Sequence, residues 1–211
     1  MKECNTRKDK LLRLRHYMDL ETHQIYEDKY PGKAFRNKIL RKNLLDRKLN
    51  RCHLCEGMNI TSSTGCVPGW GNINASIFII GEAPCTKSMI YKYPFAWKSG
   101  IILDLILKLS NLTRNNIFIT NSIHCHPPSN RTPLYKEILN CSAYLQKEIK
   151  IVKPKLIIAL GNTAKLAMLN INIKDVDYRI IYKKHPASFL YSSEGIISYI
   201  IKTSLEIDKY K

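Results

Sequence analysis

Two pairs of cysteines carry the first chemical signal in this chain. Cys52 and Cys55 enclose His53-Leu54, and Cys125 and Cys141 stand sixteen positions apart further on. A Cys-x-x-Cys step alone is ambiguous, because redox enzymes and zinc sites both use it. The second pair flanks Pro127-Pro128-Ser129-Asn130-Arg131 and completes a set of four thiols. Such a set suits a tetrahedral zinc or a cubane iron–sulfur cluster. The same residues would also serve as scattered buried thiols that pack as small apolar groups. Cys4, Cys66 and Cys85 fall outside the set.

The elements that must position these residues follow from the apolar pattern. Ser76 to Ile80, Ile117 to Thr120 and Leu156 to Leu160 are short apolar runs without alternation, and Arg179 to Tyr182 is a fourth of the kind. Runs of this type predict a parallel sheet covered on both faces. Helical patterns near 98–110, 133–152, 162–169 and 193–208 lie between and after them. The order predicts an α/β fold: a three-layer α/β/α sandwich with a central, mainly parallel four-stranded sheet over residues 51–211. Sites in such folds form where strands end and loops begin.

Residues 1–50 read as a basic helical N-terminal extension. Leu11, Leu12, Leu14 and Met18 precede a break at Pro31-Gly32, and Ile39, Leu40, Leu44, Leu45 and Leu49 then recur at helical spacing. The interleaved Arg and Lys residues fit an amphipathic helix docked on the domain with a solvated basic face.

The chain has 211 residues and a formal net charge of +17, from 34 Lys and Arg against 17 Asp and Glu. A protein this basic binds polyanions, nucleic acid foremost, although a Lys-rich composition also follows from an AT-rich genome. No apolar run is long enough to span a membrane, and the N-terminus lacks a signal-peptide core. The expectation is an intracellular, cytoplasmic chain, nucleoid-associated if bacterial, with reduced cysteines.

Several motifs at strand ends together resemble the uracil-DNA glycosylase superfamily, and most closely its iron–sulfur-containing family 4 branch. Gly81-Glu82-Ala83-Pro84 is similar to the family's first motif. Pro94-Phe95, with Gly100 downstream, is similar to the loop whose Phe stacks on an extruded base. Ile119-Thr120-Asn121 resembles the strand end that presents a base-reading Asn. Cys125 to Arg131 resembles the Cys-Arg-Pro-Pro-x-Asn-Arg loop, Leu160 to Ala164 the Leu-Gly-x-x-Ala turn, and His185-Pro186-Ala187 the second catalytic motif. The resemblance runs from about Arg51 to Leu190 and leaves out the basic extension.

The resemblance implies a monofunctional DNA N-glycosylase that flips out uracil or a related pyrimidine and leaves an abasic site, acting as a monomer on DNA. It implies Glu82, Asn121 and His185 as catalytic residues. Ala83, Pro84, Cys85, Ser88 and Phe95 would line the base pocket. Asn130, Arg131, Lys183 and Lys184 would meet DNA, with Phe189, or Leu190 beside it, as the wedge that fills the gap in the duplex. It also implies a [4Fe–4S] cluster, rather than zinc, on Cys52, Cys55, Cys125 and Cys141. Taken singly, Asn121 reads as a turn residue, His185 as a loop histidine, Phe95 as core and Gly161 as a strand cap. Their joint occurrence at strand ends favours the site.

Three departures stand out. Cys85 replaces a Gly, and Ser88 replaces a Glu that shapes the pocket beside C5 of the base. His126 stands where Arg is common, which implies a weaker phosphate contact there. The first two suggest room for a 5-substituted pyrimidine, or alternatively a weak or inactive binder of DNA or a modified base on the same fold.

Overall fold

The structure is a computed structural model that describes residues 32–61, 63–190 and 194–211. Cys4 and the expected helical run from Leu11 to Met18 lie outside the described residues. The chain divides into a unit ending at Leu40 and a unit from Arg41 to Lys211. Helix α1 (Lys33–Asn50) crosses that division. Within the second unit, its Leu45 and Leu49 are buried with Cys66 and Ile151, while Leu44 is exposed. Of the expected apolar stripe, Leu45 and Leu49 are thus covered within this unit and Leu44 is not.

The second unit is built on β1 (Trp70–Gly71), β2 (Ile77–Gly81), β3 (Phe118–Asn121), β4 (Leu156–Leu160) and β5 (Arg179–Lys183), in the sheet order β1-β3-β2-β4-β5. Strands β2 to β5 are mutually parallel, as their unalternating apolar runs require. Every residue of β2, β3 and β4 is buried. The sheet has a fifth member that the four-stranded expectation lacked. Strand β1 is a two-residue antiparallel edge on β3, too short to leave a periodic signal.

Helices α2 (Thr86–Tyr91), α3 (Lys98–Leu109), α4 (Tyr135–Val152), α5 (Asn162–Leu169) and α6 (Ile196–Asp208) complete the described α-helices. Helix α2 has six residues and was not foreseen. Helix α4 begins where Glu137 accepts the Leu134 backbone N–H at 2.7 Å. It ends at Lys153, which adopts the left-handed conformation ahead of Pro154. One core joins Phe78, Phe118 and Ile157 to Leu145 and Ile149 of α4, and the other joins Ile79, Ile119 and Ile158 to Leu103 and Ile106 of α3. The sheet is thus packed on both faces.

Candidate active site and thiolate hollow

The parallel register brings Gly81 opposite Asn121 at the ends of β2 and β3. A Cβ on Gly81 would lie 2.6 Å from Asn121 Oδ1 and 2.7 Å from Phe95 Cε2, so only glycine admits both side chains. On the other side of β2, Gly161 follows β4 with φ +90°, and a Cβ there would stand 3.1 Å from His185 Cβ. Gly161 therefore does more than cap a strand: it makes room for His185. Phe95 joins the two halves, its ring lying 5.6 Å from the His185 ring at an interplanar angle of 21°.

The protonation pattern of His185 is set locally. The Ala187 backbone N–H donates to His185 Nδ1 at 3.2 Å. Burial pushes the imidazole down from the usual 6.5 to about 4, so it is neutral near pH 7. With Nδ1 accepting, the ring hydrogen resides on Nε2 and is available as a donor. Asn121 is 3% exposed, and its Nδ2 is buried with no hydrogen-bond partner among the described residues. A buried amide donor without a partner is costly, and a ligand carbonyl would satisfy it.

Glu82 is half-buried and accepts a 2.9 Å hydrogen bond from Thr163 Oγ1, on the first turn of α5. Thr163 was legible only as part of the Leu160-Gly161-Asn162-Thr163-Ala164 turn, with no role attached. Cys85 stands immediately before α2, its Sγ 3.6 Å from Ser88 Oγ, and Ser88 is 1% exposed.

A second residue missed from the sequence is Arg114. Its guanidinium donates to Pro94 O at 3.3 Å, Phe95 O at 3.0 Å and Gly100 O at 3.3 Å. The same group pairs with Asp104 at 2.6 Å and 3.1 Å. Phe95 holds the left-handed conformation at φ +55°, which is costly for an aromatic residue unless its surroundings impose it. Arg114 supplies that constraint.

The residues expected to face DNA divide. Lys184 and Asn130 are exposed and Lys183 is half-buried. Arg131 instead forms a bidentate pair with Glu137, at 2.9 Å and 2.6 Å, so its charge is already compensated. Phe189 packs on Tyr199 at 4.6 Å between ring centroids, whereas Leu190 is exposed. Of the two expected wedge residues, Leu190 is the more exposed. His126 is buried and donates from Nδ1 to Ser63 O at 2.7 Å, so it faces inward rather than towards a phosphate.

Cys52, Cys55, Cys125 and Cys141 all line one hollow, with Leu49, Leu54, Met58 and Ile123 around them. All four are free thiols. Among the described residues, no three His, Cys, Asp or Glu side chains gather closely enough for a single ion. N–H donors reach two of the sulfurs: Asn140 Nδ2 lies 3.6 Å from Cys55 Sγ, and the His124 backbone N–H 3.4 Å from Cys141 Sγ. The fifth thiol, Cys66, is buried beside Cys125 and does not line the hollow. A hydrogen bond between the two raises the Cys66 pKa and lowers that of Cys125.

Behind Cys141 lies a fully buried polar group. His124 Nδ1 is 3.1 Å from Cys141 Sγ and its Nε2 is 3.0 Å from Glu148 Oε2. Glu148 also accepts from Thr120 Oγ1 at 2.6 Å and from the Gly69 backbone N–H at 3.0 Å, with Lys42 Nζ 3.9 Å away. Burial opposes charge on both groups, yet their mutual attraction prevails. His124 is raised well above 6.5 by Glu148 and Cys141, and Glu148 is lowered by His124 and Lys42.

A family model described as the uracil DNA glycosylase superfamily matches residues 68–207. The chain is similar to the type-4 uracil-DNA glycosylase of Saccharolobus solfataricus, 39% identical over 120 residues that cover 56% of this chain and 55% of that protein. It is similar to the Thermotoga maritima type-4 enzyme, 27% identical over 175 residues covering 77% and 90%. It is also similar to the Archaeoglobus fulgidus type-4 enzyme, 33% identical over 135 residues covering 64% and 66%. The chain thus spans little more than half the length of the first of these relatives and nine-tenths of the second. The matched region contains every strand-end motif described above, and the chain belongs to the uracil DNA glycosylase superfamily.

Proposed function

We propose that this chain is a DNA N-glycosylase that removes uracil, or a close relative of it, from DNA. The observation that carries the reading is the buried, unpartnered Nδ2 of Asn121, set across Phe95 from a neutral His185. Names of the relatives support the same activity. An extruded pyrimidine would offer its O4 to Asn121 Nδ2 and its N3–H to Oδ1, with Phe95 against its face.

Cleavage of the N-glycosidic bond builds positive charge on the sugar and negative charge on the departing base. His185 would donate from Nε2 to the base O2 as that charge grows, and its neutral state removes any need to lose a proton first. Glu82, oriented by Thr163, would stabilise the sugar cation and accept a proton from the attacking water. The base then leaves as an anion and an abasic site remains. No lysine sits in a recognisable nucleophile motif, so strand cleavage by a lyase step is not expected.

Cys52, Cys55, Cys125 and Cys141 would hold a [4Fe–4S] cluster. The fit rests on four thiols around one apolar hollow and on N–H donors aimed at Cys55 and Cys141. A cluster there would supply a covalent clamp between the chain entering the domain and the Cys125–Arg131 loop. None of the four cysteines coincides with a base-pocket residue.

Cys85 and Ser88 support acceptance of a 5-substituted pyrimidine, since Ser88 is much smaller than Glu. Lys183, Lys184, Asn130 and Leu190 would engage the duplex. The deciding experiment incubates the chain with matched oligonucleotides carrying uracil, thymine or 5-hydroxymethyluracil and cleaves abasic sites with alkali. Uracil release establishes the activity, and strict uracil specificity would remove the 5-substituent reading. Tight binding without abasic sites would make the chain a binder instead.

A further inference from the structure

Cys66 and Cys125 occupy a special relationship in the backbone. They form an antiparallel bridge outside the named strands. The hydrogen bonds around it run from Val67 N to His124 O at 2.7 Å and from His126 N to Gly65 O at 3.1 Å. Both bonds belong to the flanking residues, so Cys66 and Cys125 are a non-hydrogen-bonded pair. Such pairs bring their Cα atoms to about 4.5 Å, inside the range of roughly 4.4–6.8 Å that a disulfide spans. Their side chains lie on one face of the bridge, Cys66 only 6% exposed and Cys125 half-buried on the wall of the hollow.

We infer that Cys66 and Cys125 are a reversible disulfide site that forms when Cys125 is not ligating metal. One sulfur cannot serve both bonds, so occupancy of the hollow and oxidation of this pair exclude each other. The mutual exclusion rests on the cluster reading above; the disulfide itself does not.

The oxidant is a peroxide. It converts the Cys125 thiol to a sulfenic acid and is itself reduced to water. The Cys66 sulfur then attacks the Cys125 sulfur and forms the S–S bond. The sulfenic hydroxyl leaves with the Cys66 proton as a second water. Cys66 thereby acts as a resolving thiol, which halts oxidation of Cys125 before the irreversible sulfinic stage. A small thiol reverses the bond by exchange.

The test treats the purified full-length chain with hydrogen peroxide, before and after iron is stripped with a chelator, and maps disulfides by mass spectrometry of unreduced digests. The expected product in the stripped chain is a peptide pair joining Cys66 to Cys125, lost on treatment with dithiothreitol. In Cys66→Ser the pair is gone and Cys125 gains sulfinic acid. Cys66→Ala serves as a second variant, with circular dichroism confirming that each is folded. Cys125 linked to Cys52, Cys55 or Cys141 in the parent chain, with Cys66 free, overturns the inference. If the chain carries iron but oxidises at this pair equally with and without it, the mutual exclusion is wrong. If the chain never carries a metal yet forms the Cys66–Cys125 bond, the disulfide site stands and the cluster reading fails.

Discussion

The Ala187 backbone N–H donates to His185 Nδ1, and by doing so it decides that His185 presents a hydrogen from Nε2. Two residues of one turn thus set the tautomer on which leaving-group stabilisation would depend. His185→Ala is expected to lower turnover far more than duplex affinity, by roughly a hundredfold for the loss of one charge-stabilising donor. Single-turnover cleavage and a binding titration on the same oligonucleotide separate the two effects.

Burial of His185 also has a consequence for stability. Its folded pKa of about 4 lies below the usual 6.5, so in that window the unfolded chain binds the extra proton. The stability linked to the neutral imidazole is fully present above pH 6.5 and is lost as the pH falls towards 4. Urea unfolding of the parent chain should weaken through that window, and His185→Asn should show a shallower loss. Equal slopes for the two proteins would contradict the burial argument.

Thr163→Val keeps the shape of the α5 start but removes the donor to Glu82 Oε2. One hydrogen bond contributes about 1 kcal/mol, so turnover should fall by roughly fivefold to tenfold with little change in KM. Restoration by Thr163→Ser, which keeps the hydroxyl, would separate positioning from packing.

Arg114→Lys leaves a positive charge but cannot reach Pro94, Phe95, Gly100 and Asp104 with one planar fork. The loop carrying Phe95 should loosen. We expect a stability loss of about 2 kcal/mol and a raised KM. Thermal unfolding and steady-state cleavage measure both.

Glu148→Ala would strand His124 in the interior without its carboxylate, while Lys42 keeps Asp46 at 2.6 Å. Breaking a buried ionic group in this way costs about 3–5 kcal/mol. The variant should unfold at lower denaturant and, on the proposed cluster reading, retain less iron, although no cysteine is changed. Iron content per chain, measured alongside unfolding, gives the second readout.

Lys184 is exposed beside His185. If it meets a phosphate, Lys184→Ala should reduce the slope of log binding constant against log salt by about 1. Arg131→Ala should change that slope little, because Glu137 already neutralises the guanidinium.

The strands were legible because each is a continuous apolar run. Leu156 to Leu160 appears with the same limits in sequence and structure, Arg179 to Lys183 runs one residue further at its end, and the other two are shifted by one residue. The ends of those strands held Gly81, Asn121 and Gly161, so the site's location was legible too. Strand β1 and helix α2 were not, since two and six residues carry too little periodicity to register.

Local composition by itself determined that a parallel sheet would form and that its ends would carry an Asn, a Glu and a His. Only the tertiary structure decided the partners of these groups. Thr163 lies 81 positions from Glu82, and Gly69 lies 79 positions from Glu148. Arg131 could have been a free cation until Glu137 was placed against it, and Cys66 an isolated thiol until the bridge set it opposite Cys125. Apolar periodicity is a property of neighbouring residues, so a sequence displays it directly. A hydrogen bond or an ion pair depends on which strand ends and helix starts the sheet order brings together, and that order is settled only when the whole chain packs.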